Sequence, residues 1–112
     1  MSIQNCIFCK IISKEIPVQF VKETDELIVL KDLYPKALSH YLIIPKKHVQ
    51  DIQSLDVLDK SLVAEMVLMA KELAQDLEDN GDFRLQVNSG KDAGQEVFHL
   101  HFHVLSNKKS KK

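Results

Sequence analysis

Phe98-His99-Leu100-His101-Phe102-His103-Val104-Leu105 places three of the chain's five histidines at strict i, i+2, i+4 spacing, interleaved with apolar residues. Strict alternation is the pattern of a half-buried β-strand, because successive strand side chains point to opposite faces. Phe98, Leu100, Phe102 and Val104 then enter a core while the imidazoles line the other face. Three neutral imidazoles are costly to bury unpaired and too regular for ordinary surface. The stretch points to chemistry on a sheet face.

Immediately upstream, Ser89-Gly90-Lys91-Asp92-Ala93-Gly94-Gln95 carries glycines that let backbone approach a ligand closely. Before it, Phe83 to Asn88 alternates as a strand, which brings Asn88 near the histidine face if the two strands pair antiparallel. Leu58, Leu62, Val63, Met66, Val67, Met69, Ala70, Leu73, Ala74 and Leu77 recur at helical spacing, with Asp56 as N-cap and Gly81 as C-terminal stop. That stripe is wider than one contact needs. Either the helix is sunk deep against the sheet or it also meets a partner subunit. Met66 and Met69 read as core filler.

Towards the N-terminus, His40 to Pro45 is a strand, Lys46 to Ile52 a connection and Asp32 to Ser39 a loop. Val18 to Lys22 and Leu27 to Lys31 form a hairpin around Glu23-Thr24-Asp25-Glu26. Asn5 to Lys14 is a short amphipathic helix ended by Pro17. Lys-rich 106–112 is expected to be an unstructured, solvated tail, since lysines without aromatic or arginine companions make a weak nucleic-acid arm. The fold class is therefore α+β: one domain over 1–105, with a five-stranded antiparallel sheet, one long helix and one short helix, the helices mainly on one side.

Composition narrows the partners. A net charge of −1 over 112 residues gives no general attraction to nucleic acid or acidic membrane. No apolar run reaches the roughly 20 residues that span a bilayer, and no basic-then-apolar leader opens the chain, so a soluble, cytoplasmic protein is expected. Cys6 and Cys9 form a C-x-x-C, suited to a shared metal or a redox pair more than to a structural cross-link.

Two chemistries suit the histidine strand. Three histidines with an open water position can make a hydrolytic zinc site, but residues i and i+4 lie about 13 Å apart along a strand, so His99 and His103 can hardly share an ion. Alternatively, a neutral imidazole is a nucleophile, and a neighbouring imidazole binds a phosphoryl oxygen or fixes the tautomer. His101, flanked on both sides, is the best-placed nucleophile, and amides around Gly94-Gln95-Glu96 suit a phosphate.

Gln95-Glu96-Val97-Phe98-His99-Leu100-His101-Phe102-His103-Val104-Leu105 resembles the signature of the histidine triad family. Ser39-His40-Tyr41-Leu42-Ile43-Ile44-Pro45-Lys46-Lys47-His48 and Cys6-Ile7-Phe8-Cys9-Lys10-Ile11-Ile12, followed by Glu15-Ile16-Pro17, are similar to two further landmarks of that family. The strongest likeness is to its small nucleotide-binding members, the purine nucleoside phosphoramidases. The resemblance implies a homodimer with the sheet continued across it and a purine nucleotide of the AMP or GMP type in each subunit. It implies hydrolysis or transfer at the α-phosphate of nucleoside phosphoramidates or related nucleotides, through a nucleotidyl-histidine on His101 and without a catalytic metal. His103 and His40 would contact phosphate oxygens, Asn88 and the Gly94, Gln95, Glu96, Val97 segment would position the phosphate, and Asp32 would bind the ribose. Phe8, Ile16 and Leu33 would wall the base. Some bacterial members hold structural zinc through the residues matching Cys6, Cys9, His48 and His99, a Cys₂His₂ set suited to a tetrahedral ion.

Two departures stand out. Glu96 takes a position where many relatives carry serine, and a carboxylate there donates a proton to a leaving amine only when protonated. Lysines replace the glycine-rich, tryptophan-containing tail of many relatives. Three other readings remain: a dinucleoside polyphosphate hydrolase, a nucleotide-binding regulatory module with little turnover, and a metal-dependent hydrolase using the histidine face.

Overall fold

The strand Ser39–Pro45 (β3) is buried along its whole length, the mark of a central strand with both faces covered. The computed structural model describes residues 5–111. Residues 1–4 of the expected domain and residue 112 of the expected tail lie outside the described residues. β3 pairs antiparallel with Leu27–Lys31 (β2) on one side and Phe102–Ser106 (β5) on the other. Lys22–Glu23 (β1) extends the β2 side and Arg84–Gln86 (β4) the β5 side, giving the antiparallel order β1-β2-β3-β5-β4. The expected five-stranded antiparallel sheet holds.

Each face of the sheet has its own cover. Leu27, Val29, Tyr41, Ile43, Leu100, Phe102 and Val104 pack with Leu62, Met66, Met69, Ala70 and Leu73 of the long helix Lys60–Gln75 (α2). Ile28, Leu30, Leu42 and Ile44 pack on the opposite face with Phe8 and Ile11 of the short helix Ile7–Ile12 (α1). The two helices therefore lie on opposite faces, not mainly on one. Period-2 alternation along β2 and β3 supplies both cores at once.

Several boundaries differ from the sequence reading, each for a local reason. α1 stops at Ile12, before Pro17 is reached, and Lys14 then takes φ +67°. The first hairpin strand reduces to Lys22–Glu23, while the turn is closed by amides of Glu26 and Leu27 donating to Thr24 Oγ1. Asp56 caps a 3₁₀ turn at Val57–Asp59, in a capping box with Asp59, and α2 begins only after it. Gly81 lies past the helix end rather than at its cap. At φ +67° it folds the chain so tightly over α2 that a Cβ there would sit 2.5 Å from the Ala74 carbonyl oxygen.

The histidine strand is also shorter than its sequence pattern. Pairing starts at Phe102, opposite Ile43, and residues 98–101 run on unpaired. Continued, the register would set Leu100 against Pro45, which has no amide hydrogen to give. The tail differs as well. The Lys109 carbonyl accepts from the Glu78 amide and the Lys111 amide donates to the Asp76 carbonyl, so this segment binds the C-terminal end of α2, where the Lys111 ammonium also reaches the Gln75 carbonyl. Among the described residues no helix is long and apolar enough to cross a membrane.

Candidate active site and metal-ligating cluster

Register places the cleft. Gln86 of β4 stands opposite His103, and Arg84 opposite Leu105, so Asn88, two residues on, points to the same face beside His101. On the other flank Leu42 of β3 stands opposite His103 and His40 opposite Leu105. A cleft of about 300 Å³ results, lined by Phe8, Asp32, His40, Asn88, Gly94 through Val97, His101 and His103. The structure thus gathers most of the residues singled out in sequence. Ile16 packs with the α1 cluster and Leu33 is 87% exposed, and neither lines the cleft. Tyr34, Lys36, Leu42, Arg84, Gln86 and Leu105 do line it and were not foreseen. Arg84 and Gln86 were in fact legible, because they share Asn88's parity on a strand already recognised.

Hydrogen bonds fix the tautomer of each imidazole in the cleft. His101 Nδ1–H donates to the His99 carbonyl at 2.8 Å, leaving the Nε2 lone pair free. The Lys36 amide donates to His40 Nδ1 at 3.1 Å, so the His40 proton sits on Nε2. That Nε2–H donates to His103 Nδ1 at 2.9 Å, with Asp32 Oδ2 at 3.4 Å. His103 must then carry its proton on Nε2. Burial pushes His40 and His101 below the ordinary histidine value and His103 down to about 4, where neighbouring imidazoles add to the effect. All three are neutral at pH 7. Asp32, His40 and His103 also fall within reach of one cation, but the proton that Lys36 forces onto His40 Nε2 occupies the lone pair an ion would need.

The glycine loop is held from outside the cleft. Gln95, 4% exposed, accepts from the Gly90 amide and donates to the Gln50 and Val97 carbonyls, so its side chain is committed to the scaffold. Asn88 donates to the Ala93 carbonyl at 2.8 Å and accepts from Gln86. Gly90 at φ +105° and Gly94 at φ +90° allow the turn. Asp32 Oδ1 accepts from the Tyr34 amide, an Asx turn that aims the carboxylate back at the cleft.

A second cluster lies behind the cleft. Cys6, Cys9, His48 and His99 bring their donor atoms within 4.8 Å of one another. Cys6 Sγ to His99 Nδ1 is 3.3 Å, Cys9 Sγ to His48 Nδ1 3.3 Å, and the two Nδ1 atoms are 3.1 Å apart. Ligands bound tetrahedrally at zinc distances are separated by about 3.3–3.8 Å. His99 Nε2–H donates to the Pro45 carbonyl at 2.7 Å, which turns the Nδ1 lone pair inward. The ring is fully buried, and burial drives His99 down to about 4. Burial, with the Cys6 hydrogen bond and charge, pushes the Cys9 thiol up to about 11, so it ionises at neutral pH only against a cation.

The family described as "Scavenger mRNA decapping enzyme C-term binding" matches residues 5–112. Protein HitA of Neisseria gonorrhoeae is 43% identical over 101 residues, covering 90% of this chain and 94% of its own. A HIT family hydrolase from Legionella pneumophila superposes with a TM-score of 0.87 at 40% identity, over 94% of this chain and 95% of that one. A zinc-bound histidine triad protein from Mycobacterium smegmatis gives 0.79 at 25% identity, over 99% and 86% of the two chains. This chain belongs to the histidine triad family and has the fold of its hydrolases.

Proposed function

We propose that the protein is a nucleotide hydrolase or transferase acting at the α-phosphate of purine nucleoside phosphoramidates, with His101 as nucleophile. The observation that carries this reading is the His101 Nδ1–H bond to the His99 carbonyl, which leaves a neutral imidazole with its Nε2 lone pair beside His103 in the cleft. His101 Nε2 attacks phosphorus, the P–N bond breaks with its electron pair on nitrogen, and the leaving amine takes a proton from solvent water. Water then cleaves the nucleotidyl-histidine and restores His101. His103 Nε2–H, Asn88 and the amides of Glu96 and Val97 donate to the phosphate oxygens, while His40 holds His103 in the donating tautomer. Asp32 takes the ribose hydroxyls, and Phe8 and Val97 give the base an apolar wall.

A zinc ion fits the Cys6, Cys9, His48 and His99 donor set and would cross-link α1 to the segments before β5 and after β3; that the Mycobacterium smegmatis relative is zinc-bound supports this reading. A homodimer accords with the edge position of β4 and its exposed Leu85, and with the exposed Val67 of the wide stripe foreseen on α2, beside which Leu68 is exposed as well. Sedimentation across a dilution series tests it.

Adenosine 5′-phosphoramidate turnover tests the main reading: AMP release by the intact protein, loss on His101→Ala, and an adenylyl adduct on His101 by mass spectrometry are expected. A folded protein that binds AMP but turns nothing over would leave a binding module. Lys36 and Arg84 in the cleft favour a second reading, a dinucleoside polyphosphate hydrolase, since both suit a polyphosphate leaving group. Faster cleavage of diadenosine polyphosphates than of the phosphoramidate would establish it.

A further inference from the structure

We infer that Cys6, Cys9, His48 and His99, when they hold a metal ion, act as positioning residues for His101, beyond tying the fold together; this rests on the nucleophile assigned above. His101 lies on the unpaired approach to β5, where no strand ladder fixes the backbone. What holds that approach is local to His99. Its Nε2–H binds the Pro45 carbonyl, the next amide, Leu100, donates to Val49 at 2.7 Å, and its own carbonyl takes the His101 Nδ1–H. The His99 ring therefore connects the donor cluster to the nucleophile through a single residue.

A second connection runs through α1. This helix has six residues, far fewer than a helix needs to persist alone, and its N-cap is Cys6. Between the two thiols stands Phe8, edge-on to both His99 at 5.8 Å and His101 at 5.1 Å. Cys6 and Cys9 thus set the ring that walls the nucleophile. An ion gathering the four donors holds both the His99 carbonyl and the Phe8 ring in register with His101. Losing it releases both, with the core between α2 and the sheet left in place.

The test compares zinc-loaded, chelated and cadmium-reloaded protein, with circular dichroism and metal content measured on the same samples. Two readouts matter. Long-range ¹H–¹⁵N spectra report the His101 tautomer without substrate, and single-turnover mixing with adenosine 5′-phosphoramidate reports the rate of adenylyl-His101 formation. Chelation is expected to replace the single Nδ1–H form of His101 with a mixture, and to slow adduct formation about 10- to 100-fold, the usual scale for losing an orienting partner. KM is expected to rise much less than kcat falls, and cadmium is expected to restore both signals. A folded, metal-free protein with an unchanged tautomer and rate would overturn the inference. Should chelation unfold the chain, Cys9→Ser, which changes a partly exposed ligand at nearly constant volume, gives the same comparison at millimolar zinc. There too an unchanged tautomer and rate would sink it. If no adduct forms on any nucleotide, the nucleophile assignment fails separately, and the tautomer measurement still decides the coupling.

Discussion

His99 and His101 are two residues apart, face the same side of the sheet and belong to one repeating pattern, yet the structure gives them opposite tasks. His99 is sealed under α1, its Nε2–H spent on Pro45 and its Nδ1 turned to two thiols and His48. His101 has the reverse tautomer, with Nδ1–H spent on the His99 carbonyl and Nε2 facing the cleft. The period of the sequence decides which face an imidazole takes. The backbone carbonyl within its reach decides which nitrogen remains available, and hence whether the ring serves as ligand or nucleophile.

The contrast can be broken most sharply by truncating each ring in turn. His101→Ala is expected to lower AMP release from adenosine 5′-phosphoramidate by on the order of 10⁴-fold or more with an unchanged melting temperature, as for other covalent nucleophiles. Similar losses from His101→Ala and from a folded, metal-loaded His99 variant would erase the distinction. His40→Ala removes the group that sets the His103 tautomer, and a loss on the order of 10²-fold in kcat is expected with metal content intact. His99→Ala should cost only the roughly 10- to 100-fold of a lost positioning residue and, unlike His101→Ala, should also lower stability by roughly 2–4 kcal/mol in urea unfolding, because it opens a cavity and strands the Pro45 carbonyl.

Period-2 alternation was enough to place the histidine face and the five strands, and it singled out His101 as the imidazole flanked on both sides. Three features were out of its reach. The ladder ends at Phe102 because of Pro45, a residue on another strand whose effect depends on register. The cover over His99 is α1, whose docking is a tertiary event that helical periodicity does not specify. The cation Lys36 comes to the cleft from a loop, where a charged residue is ordinarily solvated. The tail was misread for a related reason: its lysines look solvated in isolation, and only the end of α2 gives the backbone beside them partners.

A smaller effect sharpens the same comparison through pH. His99 and His103 both fall from the ordinary 6.5 to about 4 in the folded chain. Below pH 6.5 the unfolded chain takes up protons that the folded one refuses, so stability is complete above that value and declines as pH drops toward about 4. Thermal melts from pH 8 to pH 4 on metal-free protein should show this decline. His103→Gln should remove part of it, and zinc loading should steepen it, since protons then compete with the ion for His99.

Neutral imidazoles have one more consequence. With His40, His101 and His103 uncharged, the cleft's formal charges are Lys36 and Arg84 against Asp32 and Glu96, which cancel. An anionic nucleotide is then held by oriented N–H dipoles and not by a surplus of positive charge. Small mobile ions have little to displace from such a site, so raising the ionic strength from about 50 mM to about 500 mM should change AMP affinity by only about threefold or less. The protein would therefore recognise phosphate with an affinity largely indifferent to the salt around it.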